Sequence, residues 1–581
     1  MSEVSASQAT GRGHAPSVVR LVLAAIVAFV VGLQGIGAPF QKDAEPQSAE
    51  WIVSVVRDGN WLIPRDYYGF VDRKPPLYYW LSAIVTEVSG GIVDEKRARI
   101  VSVVCATAIA VEVLAWTTAE IGVSEGWLAF LFILGMYGFS SRATLALTDM
   151  LMTLLLMSAY LVIYPMLAAR VSSRRIVALG GLLGLGILTK GPLVLILAAI
   201  AVVVFLLLDG GSPWATIKRR WPWQAGAMAI AIGACWYVPW LIVGGSREIA
   251  IFAQENFGHF APARLGGTGE ASRPIWYIVV RLIGGATPLI LLIPATLAGF
   301  ATGEVSVSRR RPLVFQASLV LAIVLFFSLA SAKRDDYILP ALPGIAILCA
   351  IAFTMGLPSR GHNAWGARIR TVASAAIAIV MLTAVVIAIA TSRGGQDLSL
   401  QSSDANLLML FERGVANRGA SFILFMAVVS FAAVAVVLSL VQQRTMAAGV
   451  MIGVISIAGV LLMDATLRPE LAWARSYKSF VAQIRPQIGE SPIFVVRDAD
   501  FELSFYYGKS VPPLTGKRAV SPPPDPMSYL IARDRELPML PPAYRDQLGL
   551  IVKSDLLGRD GPPALYEIGR CARFEQRCQN R

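Results

Sequence analysis

The chain alternates between long apolar segments and short polar breaks, and this alternation predicts its architecture. Of its 581 residues, 55% are hydrophobic and only 15% are charged. A helix of about 20 apolar residues can cross a hydrocarbon layer of about 30 Å. Such segments lie at 20–38, 98–119, 124–140, 150–168, 175–189, 191–208, 223–243, 276–299, 313–331, 337–356, 371–391, 420–441 and 445–463. The pattern predicts a mostly α, polytopic transmembrane bundle of about thirteen spans.

Positive charges cluster in polar breaks that fall on one side of this bundle. Arginines and lysines gather at 170–175, 218–220 and 309–311. Because cytoplasmic loops carry an excess of positive residues, these breaks are predicted to face the cytoplasm, with the N-terminus on the same side. The net charge of +13 then reports topology and contact with anionic lipid. It does not indicate nucleic-acid binding.

The outward-facing segments are too long to be simple connectors. The first outer loop, 39–97, should have structure of its own, and Ser48–Arg57 and Pro76–Val88 are predicted to be amphipathic surface helices. The domain prediction is a membrane domain over 1–467 and an outward-facing α/β domain over 468–581.

Within the C-terminal segment, three short elements are predicted from local pattern. They are a strand at Pro492–Val496, a helix at Asp500–Tyr507 and the start of a further strand at Ser510-Val-Pro. The hydrophobic spans stop before this segment, and Pro, Asp, Arg and Tyr become more frequent. This change in composition is what separates the predicted α/β domain from the membrane domain.

Cysteines and histidines give no sign of a metal centre. There are five cysteines and three histidines, and no spacing among them resembles a metal site. Cys571 and Cys578 lie in the outward tail, where an oxidising compartment favours their pairing as a disulfide. The sequence therefore predicts a disulfide at the C-terminus and no metal-ligating residues.

Four acidic residues lie beside predicted spans on the outward side. Asp43, Glu45 and Glu50 belong to the first outer loop, and Asp149 stands at the outer start of a span. Ionisable residues at a membrane boundary are costly and are functional candidates by default. A carboxylate there could act as a general base towards an acceptor hydroxyl. Each acid also has a structural interpretation, as a solvated loop residue or as an acid at a helix N-terminus.

Cations gather on the same membrane face as these acids. Lys74 precedes Pro75 and Pro76, and prolines in the first turn of a helix leave backbone N–H groups free nearby. Lysine suits phosphate as a compact point charge, although a lone lysine at this depth could simply snorkel into water. The other predicted anion ligands are Lys190, Arg264, Lys333, Arg334 and Tyr337. Acids and cations on one face together favour a functional site.

Four motifs, in this order, resemble the GT-C superfamily of membrane glycosyltransferases. They are an acidic segment ending in Ala49-Glu50, Lys74-Pro-Pro-Leu-Tyr-Tyr-Trp80, Leu188-Thr-Lys-Gly-Pro192 and Lys333-Arg…Tyr337-Ile-Leu-Pro340. Within that superfamily they are most similar to the aminoarabinose transferase of lipid A and its protein O-mannosyltransferase-like relatives. The resemblance covers roughly residues 20–350, and the later segments agree only in architecture.

The resemblance implies a role for each matched acid. Asp43 falls near the key acid of the first loop, with Glu45 beside it, and Asp149 matches a second acid. In an ungapped register, however, Ala44 stands at the aspartate position. Either Asp43 or Glu45 is therefore the implied first-loop acid, and Asp43 is the preferred one.

The matched cations have implied roles as well. Lys74 matches the lysine that contacts the lipid phosphate, and Tyr337 and Arg264 resemble phosphate-side contacts. The family usually has an acid immediately before that lysine, where this chain has Arg73 and places Asp72 one position earlier. This departure points to a different donor or acceptor.

The function implied is transfer of a sugar from a polyprenyl-phosphate donor to a lipid A-like or protein acceptor, on the outer face of a bacterial inner membrane. A single displacement predicts inversion at the anomeric carbon. No cofactor is required, although a divalent cation could take part. The expected partners are the donor, the acceptor and membrane lipids, and not nucleic acid.

Two other classes of protein compete with this interpretation. A lipid or solute transporter could use interior charges, but transporters often have paired repeats and broken helices near the bilayer midplane. Here the charges crowd the outer boundary, and no repeat is evident. A membrane sensor with an outer domain would leave the charged residues of the first loop unexplained.

Overall fold

Helices dominate the part of the chain that the structure describes. This computed structural model describes residues 16–40, 44–71, 74–168, 171–210, 222–257, 273–330, 332–355, 364–394, 417, 419–497, 500–515, 528–556 and 562–568. Up to residue 462 the α-helices are α1 (Val18–Gly32), α2 (Ala44–Asp58), α3 (Leu77–Val88), α4 (Glu95–Glu120), α5 (Val123–Gly135), α6 (Tyr137–Ala143), α7 (Asp149–Ala168), α8 (Ser173–Lys190), α9 (Leu193–Leu208), α10 (Trp223–Phe257), α11 (Tyr277–Ala286), α12 (Ile293–Thr302), α13 (Val307–Leu329), α14 (Leu342–Ile351), α15 (Trp365–Gly394), α16 (Gly419–Val441) and α17 (Thr445–Leu462). Beyond them lie α18 (Arg468–Arg475), α19 (Tyr477–Ile488), β1 (Ile493–Val495), α20 (Phe501–Tyr507), β2 (Tyr529–Arg533), α21 (Pro542–Arg545), β3 (Leu548–Lys553) and β4 (Pro563–Ile568).

The long apolar helices form a membrane bundle. Among the described residues, seven helices are long and apolar enough to cross a membrane, or nine if each of two bent helix pairs counts once. In α10 and α16 only 22% and 28% of the apolar 18-residue stretch is buried inside the protein, whereas in α4 the share is 61%. Large apolar surfaces left uncovered by protein mark contact with another apolar phase, here lipid. The predicted polytopic helical bundle is confirmed, whereas about thirteen spans exceeds the number counted here.

Two segments predicted as single spans are bent. Span 124–140 bends by 66° between α5 and α6, where Met136 has extended backbone angles (φ −82°, ψ 116°). Span 276–299 bends by 98° after α11, beside Pro288, whose ring and missing N–H oppose a continuous helix. Each segment was predicted as one helical span, and the bend within it was not predicted, because mean hydropathy does not report backbone direction.

The segment predicted as span 337–356 also differs from a single long helix. It starts as a 3₁₀ turn, Asp335–Ala341, and continues as the ten-residue α14. Most of α14 is buried inside the bundle. Its apolar character therefore reflects packing against other helices, and the turn before it is free to present polar side chains.

Both helices predicted in the first outer loop are present. They appear as α2 and α3, and α2 is longer at its start than the predicted Ser48–Arg57. The α2 helix buries the side chains of Ala49 and Ile52, while Tyr78 of α3 donates a hydrogen bond to the carbonyl of Ala98 at 2.8 Å. These contacts fix the loop against the N-terminal end of α4.

A four-stranded sheet organises the C-terminal part, in the order β1-β2-β4-β3. The strands β1 and β2 are parallel, whereas the other two pairs are antiparallel. The predicted strand and helix are present as β1 and α20, and Asp500 caps α20 by accepting from the Leu503 N–H at 3.0 Å. The predicted strand at Ser510 is only an isolated bridge, because Pro512 and Pro513 cannot donate ladder hydrogen bonds.

The C-terminal part rests on the first outer loop. The ring of Phe505 packs edge-on against Phe40, with centroids 5.1 Å apart, and the hydroxyl groups of Tyr68 and Ser504 lie 2.7 Å apart. Lys478 forms an ion pair with Glu95 at 2.8 Å. The C-terminal part is thus held close to the N-terminal end of α4.

Candidate active site

A polar cavity lies where the predicted motifs converge. Its volume is about 120 Å³. Its charged and aromatic lining residues are Lys74, Asp149, Lys190, Tyr237, Phe326, Phe327, Arg334, Asp336 and Tyr337. Five separate parts of the chain therefore contribute to one site. They are the segment before α3, the start of α7, the turn between α8 and α9, the helix α10, and the end of α13 with the turn after it.

Two helix ends bring an acid and a lysine together. The helix α7 begins at Asp149, and α8, which packs along it, ends at Lys190. The Lys190 amine lies 2.5 Å from the Asp149 carboxylate. Gly191 then takes φ +69°, which suits glycine, and Pro192 leads into α9. The Lys-Gly-Pro motif thus reverses the chain while keeping the lysine at the cavity.

Aromatic rings form the opposite wall of this ion pair. The Lys190 amine lies 5.5 Å from the ring centroid of Tyr337, a distance typical of a cation–π contact. Tyr337 in turn stacks on Phe327 with a centroid separation of 4.3 Å. The rings restrict the position of the lysine and give the cavity an apolar side.

Two further cations reach the cavity. Lys74 is partly buried and Arg334 is exposed, and neither has an acidic partner among the residues the structure describes. The lining acid Asp336 pairs with Arg142 at 2.9 Å, and Asp149 pairs with Lys190. Positive charge is therefore in excess, and the cavity is suited to an anion such as a phosphate.

The pair formed by Arg142 and Asp336 was not predicted from the sequence. Arg142 lies on α6, which reaches the site only because of the bend at Met136. Its sequence signal was weak, a single arginine at the end of an apolar segment. Tyr237 was missed too, because an aromatic residue inside an apolar span is ordinarily a packing residue.

Lys333 was predicted to be an anion ligand, but it is not among the residues that line the cavity. Its amine donates hydrogen bonds to the carbonyls of Ala330 at 2.6 Å and Arg273 at 3.0 Å, and the side chain is buried. Lys333 therefore fixes the turn that carries Arg334 and Tyr337. Neighbouring residues on an extended segment point in opposite directions, so only one of the two cations reaches the cavity.

Glu45 occupies a buried ion pair. Its carboxylate contacts the Arg99 guanidinium at 2.9 and 3.1 Å and accepts from the Ala146 N–H at 2.9 Å. The side chains are 0% and 2% exposed. Arg99 also donates to the carbonyls of Ile36, Ala38 and Pro39. The arrangement suits a structural anchor better than a base, because proton uptake would break the pair.

Glu50 is buried without an ion pair in the described part of the chain. One oxygen accepts from the Tyr67 N–H at 3.0 Å, while the other has no hydrogen-bond partner there. Burial, with smaller contributions from Asp66 and Asp500, raises the pKa of Glu50 to about 9 despite the bond from Tyr67. The carboxyl group is therefore protonated at neutral pH.

Some predicted residues lie outside the described residues. These are Asp43 and Arg264 of the predicted site, and Cys571 and Cys578 of the predicted disulfide. Among the described residues, no group of three or more His, Cys, Asp or Glu side chains is arranged to hold a metal ion.

Known proteins resemble this chain in sequence. Residues 73–240 match the family described as dolichyl-phosphate-mannose-protein mannosyltransferase. An undecaprenyl phosphate-alpha-4-amino-4-deoxy-L-arabinose arabinosyl transferase from Enterobacter is 28% identical over 58% of this chain and 60% of the relative. The Serratia proteamaculans protein of the same name is 28% identical over 53% of this chain and 54% of the relative. The chain thus matches less than two thirds of the length of these relatives.

One solved structure resembles almost the whole chain. ArnT from Cupriavidus metallidurans, crystallised with undecaprenyl phosphate, matches with a TM-score of 0.70 and 19% identity, covering 94% of this chain and 97% of that one. The two proteins share a fold. Together with the sequence similarities, this match confirms the resemblance to GT-C membrane glycosyltransferases predicted from the four motifs.

Proposed function

We propose that this protein is an integral-membrane glycosyltransferase that takes a sugar from a polyprenyl-phosphate donor. The observation that carries the proposal is the convergence of Lys74, Asp149, Lys190, Arg334 and Tyr337 on one cavity. These residues are far apart in the chain, between positions 74 and 337. An excess of cations at the membrane boundary is what a lipid-linked phosphate needs.

Departure of the phosphate is the step that the cations support. When the bond between the anomeric carbon and the phosphate oxygen breaks, that oxygen gains negative charge. Lys74 and Arg334, which carry no acidic partner within the described residues, would stabilise it as preorganised positive charge. Lys190 would contribute less, because Asp149 already neutralises much of its charge.

The incoming oxygen needs alignment and, for a hydroxyl acceptor, a base. With Glu45 engaged by Arg99, Asp43 is the first-loop acid we assign to this step. Asp149 would instead hold Lys190 in position, as the 2.5 Å contact between them indicates. A phosphate acceptor would already be ionised and would need orientation rather than a base. Single displacement predicts inversion, without a required cofactor.

The names of the relatives support an assignment of the sugar, and the acceptor is assigned from the resemblance of the four sequence motifs. Since the named relatives are 4-amino-4-deoxy-L-arabinose transferases that use undecaprenyl phosphate, we assign an undecaprenyl-phosphate-linked aminosugar as donor. A lipid A-like molecule is the assigned acceptor, and a protein acceptor is the alternative within the same reaction class.

The topology we propose retains about thirteen crossings. To the nine counted with bent pairs, four shorter apolar segments are added, which are α1, α8, α9 and the 3₁₀ turn joined to α14. The protein would then lie in a bacterial inner membrane with its N-terminus cytoplasmic. The cavity, the first outer loop and the C-terminal sheet would face the periplasm.

The decisive experiment is the substitution Lys74→Ala. We expect transfer from an undecaprenyl-phosphate aminosugar to fall by a factor of about 100 to 1,000, as for loss of one electrostatic contact in a water-poor site. Mass spectrometry of lipid A from a deletion strain complemented with each variant measures transfer. The matched control is Lys509→Ala, an exposed lysine of the C-terminal part. Wild-type transfer by correctly inserted Lys74→Ala protein would refute the assignment.

A further inference from the structure

A second polar cavity lies in the C-terminal part, away from the motifs that form the first. Its volume is about 220 Å³. Its charged and polar lining residues are Tyr477, Arg497, Asp500, Arg533, Arg535 and Glu536. No residue of this set belongs to the predicted active site, and the proposed function uses none of them.

The cavity opens at the carboxyl ends of the two parallel strands. Val495 of β1 pairs with Ile531 of β2, and Arg497 and Arg533 each follow two residues later in their own strand or turn. In open sheets that contain parallel strands, ligands bind in the crevice beyond these carboxyl ends. The two arginines therefore reach the position where such a sheet ordinarily holds a ligand.

Neighbouring side chains orient Arg533, and one of its N–H donors, at Nε, has no partner among the described residues. One Nη donates to the Tyr477 hydroxyl at 2.6 Å, and the other donates to the Glu536 carboxylate at 3.3 Å. Its Nε is buried and has no hydrogen-bond partner among the described residues. A buried donor without an acceptor costs about 1–3 kcal/mol. An anionic ligand in the cavity would relieve that cost.

The acids of the cavity are occupied in shaping it. Glu536 also accepts from the Arg533 N–H at 3.0 Å, and Asp500 caps α20 through the Leu503 N–H. Three arginines outnumber these two carboxylates. Arg497 is exposed and has no ion-pair partner in the described residues, so positive charge at the mouth of the cavity is available to a ligand.

The cavity also lies close in sequence to the last membrane helix. Tyr477, which lines it, begins α19, and only the short helix α18 separates α19 from the π-helical end of the last membrane helix. The ten residues from Leu467 to Tyr477, most of them helical, extend about 15 Å. A phosphate group carried by a membrane-anchored molecule can therefore reach the arginines.

We propose that this arginine cavity binds the phosphate ester of a membrane-associated ligand, either the sugar phosphate of a glycolipid or a phospholipid headgroup. Arg497 and Arg535 would contact the phosphate oxygens, and the Nε of Arg533 would donate a hydrogen bond to the same phosphate. Arginine suits this task because its planar guanidinium offers several donors to one phosphate. The site is separate from the donor phosphate site at Lys74.

The test uses full-length protein carrying Lys74→Ala, so that the first cavity does not contribute phosphate binding. Titration with glucosamine 1-phosphate is followed by calorimetry at low and high salt, with glucosamine as the unphosphorylated control. We expect saturable binding of the phosphate compound alone, weaker at high salt. Arg497→Gln and Arg535→Gln should each weaken binding about tenfold or more, whereas Arg475→Gln, an exposed arginine outside the cavity, should not.

Competition identifies the source of the phosphate. In nanodiscs, displacement of glucosamine 1-phosphate by phosphatidic acid but not by phosphatidylcholine assigns the cavity to a phospholipid headgroup, and absence of displacement assigns it to a glycan phosphate. Both results support the site. Failure of glucosamine 1-phosphate to bind, or unchanged binding in both Arg497→Gln and Arg535→Gln, would overturn it. Neither failure touches the proposed function, which depends on Lys74.

Discussion

Two ion pairs on the same side of the bundle have opposite characters. Glu45 and Arg99 are almost completely buried, and protein groups occupy both oxygens of the glutamate. Asp149 and Lys190 line an open cavity and are 10% and 14% exposed. Each pair joins two segments that lie apart in the sequence, the starts of α2 and α4 in the first case and the start of α7 and the end of α8 in the second. Only the second leaves its charges within reach of a ligand.

The difference shows why residue type alone does not identify a catalytic group. A buried pair is held because a charge left alone there would carry a large desolvation penalty. The pair at the cavity can exchange part of its electrostatic interaction for contact with a substrate phosphate. We therefore expect substitutions at the first pair to affect folding, and substitutions at the second to affect transfer in protein that is folded.

The largest effect is expected for Arg99→Met. It leaves Glu45 as an unpaired buried charge, which should destabilise the protein by about 3–5 kcal/mol and abolish transfer through misfolding. Thermal unfolding in detergent and protease resistance measure the loss.

A double variant separates this structural effect from catalysis. Glu45→Leu with Arg99→Met removes both charges, and replacing a buried pair by apolar residues is often neutral for stability. We expect the double variant to recover much of the stability and some transfer. A stable but fully inactive double variant would instead identify Glu45 as the base.

The positions of most helices could be predicted because each is a continuous apolar segment. The predicted spans 420–441 and 445–463 differ from α16 and α17 by one residue at most at each end. The bend at Met136 was not predictable in this way, since both of its arms are equally apolar. It depends on packing between distant parts of the chain, including the close approach of Gly135 to Ser456.

The candidate site was predictable in its members and less so in its geometry. Lys74, Asp149, Lys190, Arg334 and Tyr337 were all singled out from motifs and line one cavity. The pairing of Glu45 with Arg99 spans 54 positions in the sequence, and no local pattern reports it. The opposite directions of Lys333 and Arg334 likewise depend on the carbonyls available around the turn.

Asp149→Asn tests the role of the ion pair at the cavity, between Asp149 and Lys190. The amide keeps the size of the side chain but removes its charge, so the Lys190 amine loses its fixed position. We expect kcat to fall about tenfold to a hundredfold, with normal thermal unfolding. In a double-mutant cycle with Lys190→Met, residues that act as a unit couple by about 0.5–3 kcal/mol. Additive losses would contradict the pairing.

The adjacent residues Lys333 and Arg334 are expected to show a smaller difference of the same kind, between an effect on stability and an effect on donor binding. Arg334→Gln should raise the KM for the donor severalfold without lowering the melting temperature, because Arg334 is exposed at the cavity. Lys333→Met should lower the melting temperature, because two carbonyls lose their donor, and should leave the donor KM unchanged. Reversal of these two results would restore Lys333 as the phosphate ligand.

Glu50→Gln should have the least effect on transfer and a distinctive effect on stability. Burial raises the pKa of Glu50 from 4.5 to about 9, so the folded protein holds a proton that the unfolded chain releases. The stability contributed by this proton is complete below about pH 4.5 and is lost as the pH rises towards 9. Glutamine does not titrate, so we expect the variant to unfold at a higher temperature than the wild type at pH 8.5 and at a similar temperature at pH 5. The exposed acid in Glu87→Gln is the matched control, and parallel pH profiles for wild type and Glu50→Gln would show that Glu50 is ionised in the folded protein.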